Sequence, residues 1–333
     1  MTQPDFNLLY LKSEEARISL KDISKLTRKS SQRLKYTLSN FEKNQILKEP
    51  HCVIDYSSFG LILFRVYFRS AYINEKEKTN IIKELINNPY VISVYELTGQ
   101  YDLVTEFAAP NPSKFNKELK KISEDIPTLQ YHTILLNVVT YVCPRKYLIK
   151  SETIQQKYYE KIIGGDREKE KFLPNEIKVI KNLILNPLTK LTNLAKKTEL
   201  NIKTIRKIMK NLAQRKIIRG YKQNIDTEKL GINKTRLFLR IHNISQEKEN
   251  KLIKFLLQTK EVVKINKTVG DWDMEIDIET MQKNRIRYIL SDIREEFKEI
   301  IEKYNLIEHY NTYKTSYLPQ YLFNGSSKEE IQI

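Results

Sequence analysis

Two short stretches bring together a glycine, an aromatic ring and a carboxylate: Gly99, Gln100, Tyr101 and Asp102 in one, Gly270, Asp271, Trp272 and Asp273 in the other. Such a set can bind a zwitterion, because a backbone amide beside glycine can approach a carboxylate while Asp meets an ammonium group. It can equally be a hairpin turn, with Gly at positive φ and Asp tying the turn through its side chain. A second chemistry is basic. Lys203, Thr204, Arg206, Lys207, Lys210 and Asn211 recur at helical spacing opposite Ile205, Ile208, Met209 and Leu212. Arg and Lys grip phosphates or guanine, while Asn and Thr read base edges. Gln32, Arg33, Lys35 and Tyr36 occupy the same face of an earlier segment, and for both segments a merely solvated helix face is the alternative. Cys52, Cys143 and the four histidines, His51, His132, His242 and His309, show no ligand spacing, so no metal, cofactor or catalytic residue is expected.

These residues need elements to hold them, and 333 residues are more than one core usually organises, so two or more domains are expected. The net charge of +17 points to a polyanionic partner such as double-stranded DNA. No apolar run has the length of a membrane span and the N-terminus lacks the pattern of a secretory signal, so a cytoplasmic location without membrane contact is expected.

The two Gly-x-aromatic-Asp loops lie 171 positions apart, and so do many other identities, among them Leu20/Leu191, Lys25/Lys196, Asn40/Asn211, Asp55/Asp226, Arg65/Arg236, Arg69/Arg240 and Leu85/Leu256. One ungapped register of this length makes the chain two copies of a unit too large for a solenoid repeat. The expected divisions are helix-turn-helix modules at 1–55 and 172–226, regulatory domains at 56–148 and 227–322, a polar linker at 149–171 with Gly164 and Gly165, and a disordered tail at 323–333.

Each unit begins with three short helices. In copy two, Asn175 is the expected N-cap of the first and Asn201 of the third, and a β wing with Gly220 should follow. Three helices with a tight turn before the last make the helix-turn-helix order. Lys171 to Asn224 carries 14 Lys/Arg against Glu176 and Glu199, whereas residues 1–50 carry 10 basic against 6 acidic residues, so the second module is the stronger DNA-binding candidate. Beyond each wing, alternating strands and amphipathic helices follow the βαββαβ order of a ferredoxin-like domain, with a sheet face left free to pair with a second sheet.

This order, repeated twice, resembles the Lrp/AsnC (feast/famine) transcriptional regulators. The resemblance rests on LNIKTIRKIMKNLAQRKIIRGY at 200–221, KSSQRLKYTLSNFEKNQILKE at 29–49, and the GQYD and GDWD loops. It implies an α+β chain: two winged helix-turn-helix domains, each followed by a ferredoxin-like domain of the dimeric α/β barrel type. It also implies a non-enzymatic DNA-binding regulator with an amino-acid effector near Gly99, Tyr101, Asp102, Gly270, Trp272 and Asp273. Family members dimerise through their βαββαβ domains, so a homo-oligomer or an intrachain pseudo-dimer is implied. Gln45 and Lys216 stand where the family usually has glycine before the wing, and Pro50 interrupts the first wing. Paired units also resemble siroheme decarboxylases, although the His-rich strand signature of those enzymes is absent; an assembly partner of single-unit regulators is a third possibility.

Overall fold

The computed structural model describes residues 4–70, 74–242 and 245–323. The first unit opens with α1 (Phe6–Glu14), α2 (Leu20–Thr27) and α3 (Ser31–Lys43), started by the side chains of Asp5, Ser19 and Ser30, each accepting a hydrogen bond from a first-turn amide. Then come β1 (Leu47–Ile54), β2 (Ile62–Ser70), α4 (Glu75–Asn87), β3 (Val91–Thr98), β4 (Leu103–Ala109), α5 (Pro112–Asp125) and β5 (Leu129–Val142). A short α6 (Glu152–Gln155) and β6 (Lys161–Gly164) lead to the second unit. It repeats the order as α7 (Pro174–Leu185), α8 (Leu191–Thr198), α9 (Ile202–Gln214), β7 (Ile218–Ile225), β8 (Asn233–Ile241), α10 (Gln246–Gln258), β9 (Val262–Val269), β10 (Met274–Thr280), α11 (Lys283–Glu296) and β11 (Ile301–Thr315).

The two βαββαβ sheets close on each other. The strand order is β2-β4-β3-β11-β8-β10-β9-β5, with β5 pairing back onto β2 and carrying β6 beside it. Each unit's last strand crosses to the other unit: β11 joins β3 of copy one, and β5 joins β9 of copy two. The pairing left open in the sequence is therefore made within the chain. Alternation along each strand then divides inside from outside. Phe64, Val66 and Phe68 pack outward against Ile81, Leu85, Phe115 and Leu119 of α4 and α5, and Leu237, Leu239 and Ile276 pack against Leu252, Leu256, Ile289 and Ile293 of α10 and α11. The intervening residues, Arg65, Tyr67, Glu106, Arg236 and Asp277 among them, fill the lumen.

The wings depart from expectation. Neither module forms a hairpin of its own; β1 and β7 pair antiparallel with each other, His51 opposite Lys222 and Cys52 opposite Tyr221. Each strand also completes the core of the other module: Cys52, Val53 and Ile54 pack among Val179, Leu194, Ile205 and Leu212, while Ile225 packs among Leu9, Leu34, Phe41 and Leu47. Pro50 is accommodated because the ladder breaks register between Leu47 and Pro50. Asn175 is not the N-cap of α7. Leu173 holds that position, Pro174 takes the first helical turn, and the Glu176 carboxylate accepts from the Leu173 amide at 2.9 Å. The 149–171 segment contains α6 and β6, whose Lys161–Gly164 pair with Val139–Val142. The tail beyond Phe323 lies outside the described residues.

Candidate functional site

The helix-turn-helix geometry is built twice from the same devices. Arg28 ends α2 and Glu199 ends α8 in the left-handed conformation (φ 55° and 59°), and each helix is followed within two residues by the next N-cap. Asn201 caps α9 by accepting from the Thr204 amide at 2.7 Å, and Ser30 caps α3 by accepting from Arg33 at 3.3 Å. Gln45 and Lys216, the positions where glycine is usual, are also left-handed, at φ 53° and 59°. A side chain there costs about 1 to 2 kcal/mol relative to glycine's freedom, which is the physical content of that preference.

On α9, Lys203, Arg206, Lys207, Lys210 and Asn211 are exposed and Thr204 is half-buried, while Ile205, Ile208 and Leu212 face the core. Asn211 accepts from Arg215 at 3.2 Å. Lys203, Arg206, Lys207 and Lys210 make no side-chain hydrogen bond or ion pair to another described residue. Their charge is presented outward and is not consumed inside the fold. By contrast Arg215 is tied down by Glu170 and Glu176 at 2.8 and 2.9 Å, orienting the helix end instead of reaching out. On α3, Gln32, Arg33, Lys35 and Tyr36 are all exposed, with Tyr36 at 70%. The face is the same but holds two cations where α9 holds four.

The Gly-x-aromatic-Asp loops close one end of the barrel. Tyr101 and Trp272 are buried and meet around Phe238, at ring separations of 6.1 and 5.3 Å, with Tyr67 beside them. The carboxylates lie at the surface: Asp273 accepts from the Ile241 amide at 2.8 Å, and Asp102 is half-buried. Gly99 and Gly270 both have positive φ, but only Gly270 is also held by space, since a Cβ there would lie 2.8 Å from Leu135 and 2.9 Å from the Ile134 carbonyl oxygen. The loops are thus hairpin turns whose aromatic side chains plug the lumen. On the second loop Arg240 donates to the Gly270 carbonyl at 2.5 Å and lies 3.7 Å from the Asp273 carboxylate.

Deeper in the lumen lies a set of side chains that sequence reasoning did not single out. Arg65 donates to Glu275 at 2.6 Å and to Glu106, and Asn266 binds both Arg65 and Glu275 at 3.2 Å. Arg236 forks onto Asp277 at 2.6 and 3.0 Å and donates to the Tyr67 hydroxyl at 2.8 Å, which in turn donates to Glu275. Burial works against ionised acids, yet Arg65 and Lys264 draw Glu106 down to about 2, and Arg236 holds Asp277 well below the usual carboxylate range. The network joins both copies, so it locks the pseudo-dimer. A signal for it was present: Arg65/Arg236 and Glu106/Asp277 each stand in the same repeat register on alternating strands.

Modules of three helices with shared wings, mounted on a barrel of paired βαββαβ sheets, define a tandem helix-turn-helix protein. The comparisons agree with that class: the chain has an Lrp/AsnC-like tandem architecture. No family model matches the sequence. Over 137 residues, 40% of the chain, it is 25% identical to the HTH-type transcriptional regulator FL11 of Pyrococcus horikoshii and spans 86% of that protein. The FL11 regulator of Pyrococcus furiosus is 19% identical over 132 residues, again covering 86% of its length. Among solved structures, the siroheme decarboxylase NirDL, in co-complex with an iron-uroporphyrin III analogue, aligns over 94% of this chain and 93% of its own, with a TM-score of 0.57 at 13% identity. That likeness is one of fold.

Proposed function

We propose that the chain is a sequence-specific DNA-binding transcriptional regulator whose principal reader is α9. The supporting observation is the row of Lys203, Arg206, Lys207 and Lys210, exposed and unpaired on the third helix of a capped helix-turn-helix. Cations without internal partners are free to displace the counterions of a duplex. The α3 face, with Arg33 and Lys35, is the weaker second contact.

The test is a salt titration on duplex DNA. Affinity should fall steeply, by about 0.9 log unit per phosphate contacted for each log unit of salt. Replacing Arg206 and Lys207 with Ala should flatten that slope by about 1.8, more than Ala at Lys35 and Tyr36. A salt-independent affinity, or equal effects of both pairs, rules the reading out.

An amino-acid effector at the two loops would be held by Asp102, Asp273 and backbone, since the rings of Tyr101 and Trp272 point into the lumen. The end-to-end fold likeness to a siroheme decarboxylase favours one second reading, an enzyme acting on a tetrapyrrole. A visible spectral change on adding siroheme, followed by loss of carboxylate as carbon dioxide, would establish it in place of the regulator. The strands that a single-unit regulator would need for barrel pairing, β3, β5, β9 and β11, already pair with each other here.

A further inference from the structure

The barrel end opposite the aromatic plug opens beneath the paired wings into a polar cleft of about 740 Å³. Its upper wall is the wing sheet, from Leu47 to His51 on β1 and Asn224 and Ile225 on β7; its lower wall is His309 and Asn311 to Thr315 of β11. At its floor the cleft continues into a recess of about 90 Å³, bordered by His51, Arg145, Asn224, Lys234, Thr312 and Thr315. A recess of this size admits a few waters, or one carboxylate or phosphate head.

Asp277 and Glu279 also border the recess, but each is hydrogen-bonded to another cation, Arg236 and Arg145 respectively. Arg145 is engaged by Glu279 at 2.9 Å, Lys222 by Glu14, and Lys264 by Glu106 at 3.2 Å. Lys234 has no hydrogen bond or ion pair to any described residue. The buried Nδ1 of His51 also lacks a partner. Lys234 is half-buried, and an ammonium held partly out of water, with its neighbouring carboxylates taken by other cations, is placed to meet an anion that enters the recess.

The geometry points to an effector site in this recess for a small molecule carrying a carboxylate or phosphate, with Lys234 as its counterion, His51 and Asn224 as hydrogen-bonding partners, and the outer cleft holding its body. Burial, opposed by Glu279 and Asp277 and aided by Arg145 and Arg236, brings Lys234 down to about 8, so it remains mostly charged at neutral pH. Burial together with Lys222, Arg145 and Lys264 keeps His51 neutral, able to donate through one ring nitrogen. Because β1 and β7 run directly on from α3 and α9, an anion bridging the two walls fixes the reading helices relative to the barrel. That consequence for DNA rests on the regulator reading; the site itself does not.

Calorimetric titration of the full chain with citrate and with inorganic phosphate, without DNA, tests the site. Saturable one-to-one binding of at least one probe is expected, weakened at least tenfold by Lys234→Met and unchanged by Lys120→Met on the exposed face of α5. Removing a half-buried cation that makes no hydrogen bond or ion pair should leave the melting temperature of the free protein unchanged or raise it. If Lys234→Met instead melts early, Asn224→Leu takes its place, and at least threefold weaker binding is then expected. Absence of saturable binding by both probes overturns the proposal, as does full affinity in the informative variant or an equal loss with Lys120→Met.

Discussion

Asp277 shows how much of this molecule depends on single buried charges. It takes two hydrogen bonds from Arg236, which is itself 1% exposed and reaches the Tyr67 hydroxyl of the other copy. Asp277→Asn would leave that guanidinium without its counterion and should destabilise the fold by about 3 to 5 kcal/mol in urea unfolding. The pH response follows from the depressed acids. Glu106 has a folded value near 2 against an ordinary 4.5, so its stabilisation is complete above about pH 4.5 and is lost as pH falls toward 2. Urea midpoints should therefore drop across that window, and Glu106→Gln should flatten the drop. At the loop opposite Leu135, Gly270→Ala should cost about 2 to 3 kcal/mol, more than Gly99→Ala, where nothing but Ile307 at 3.8 Å approaches. These residues were hard to see from sequence. Alternation in LILFRVYFRS reveals a polar strand face, but a polar face pointing into a lumen has the same period as one pointing into water.

The elements themselves were more legible, because helix faces and N-caps are local. The exposed positions of α9 follow the 3.6-residue period, and Asn201 caps as expected, for that reason. Asn175 misled because Pro174 fits the first turn better than Asn fits the cap two residues inside it. The cross-copy ladder between β1 and β7 could not be read, since local pattern identifies a strand without naming its partner. Left-handed Lys216 sits at the junction of α9 and β7, exposed and strained. Lys216→Gly should raise stability by about 0.5 to 1 kcal/mol, the relief of strain exceeding the entropy glycine adds to the unfolded chain, and a thermal melt will show the sign. DNA affinity should not change with it.

At the scale of the whole molecule the two copies are interlocked at both levels. Wing strands complete each other's helix-turn-helix cores, and last strands complete each other's sheets. Neither copy is then a self-sufficient domain. A chain ending at residue 165 should expose the edges that β11 and β9 now cover, and light scattering should find it self-associated instead of monomeric.

The crossing of β5 and β11 also removes mass action from the assembly step. In a regulator whose barrel forms from two chains, dilution dissolves the reading unit, and related subunits can exchange into it. Here the partner is tethered and always present, so melting temperature should be independent of protein concentration. The two halves are also freed from having to match: α9 can keep four outward cations and α3 two, because no exchange of subunits pairs like with like.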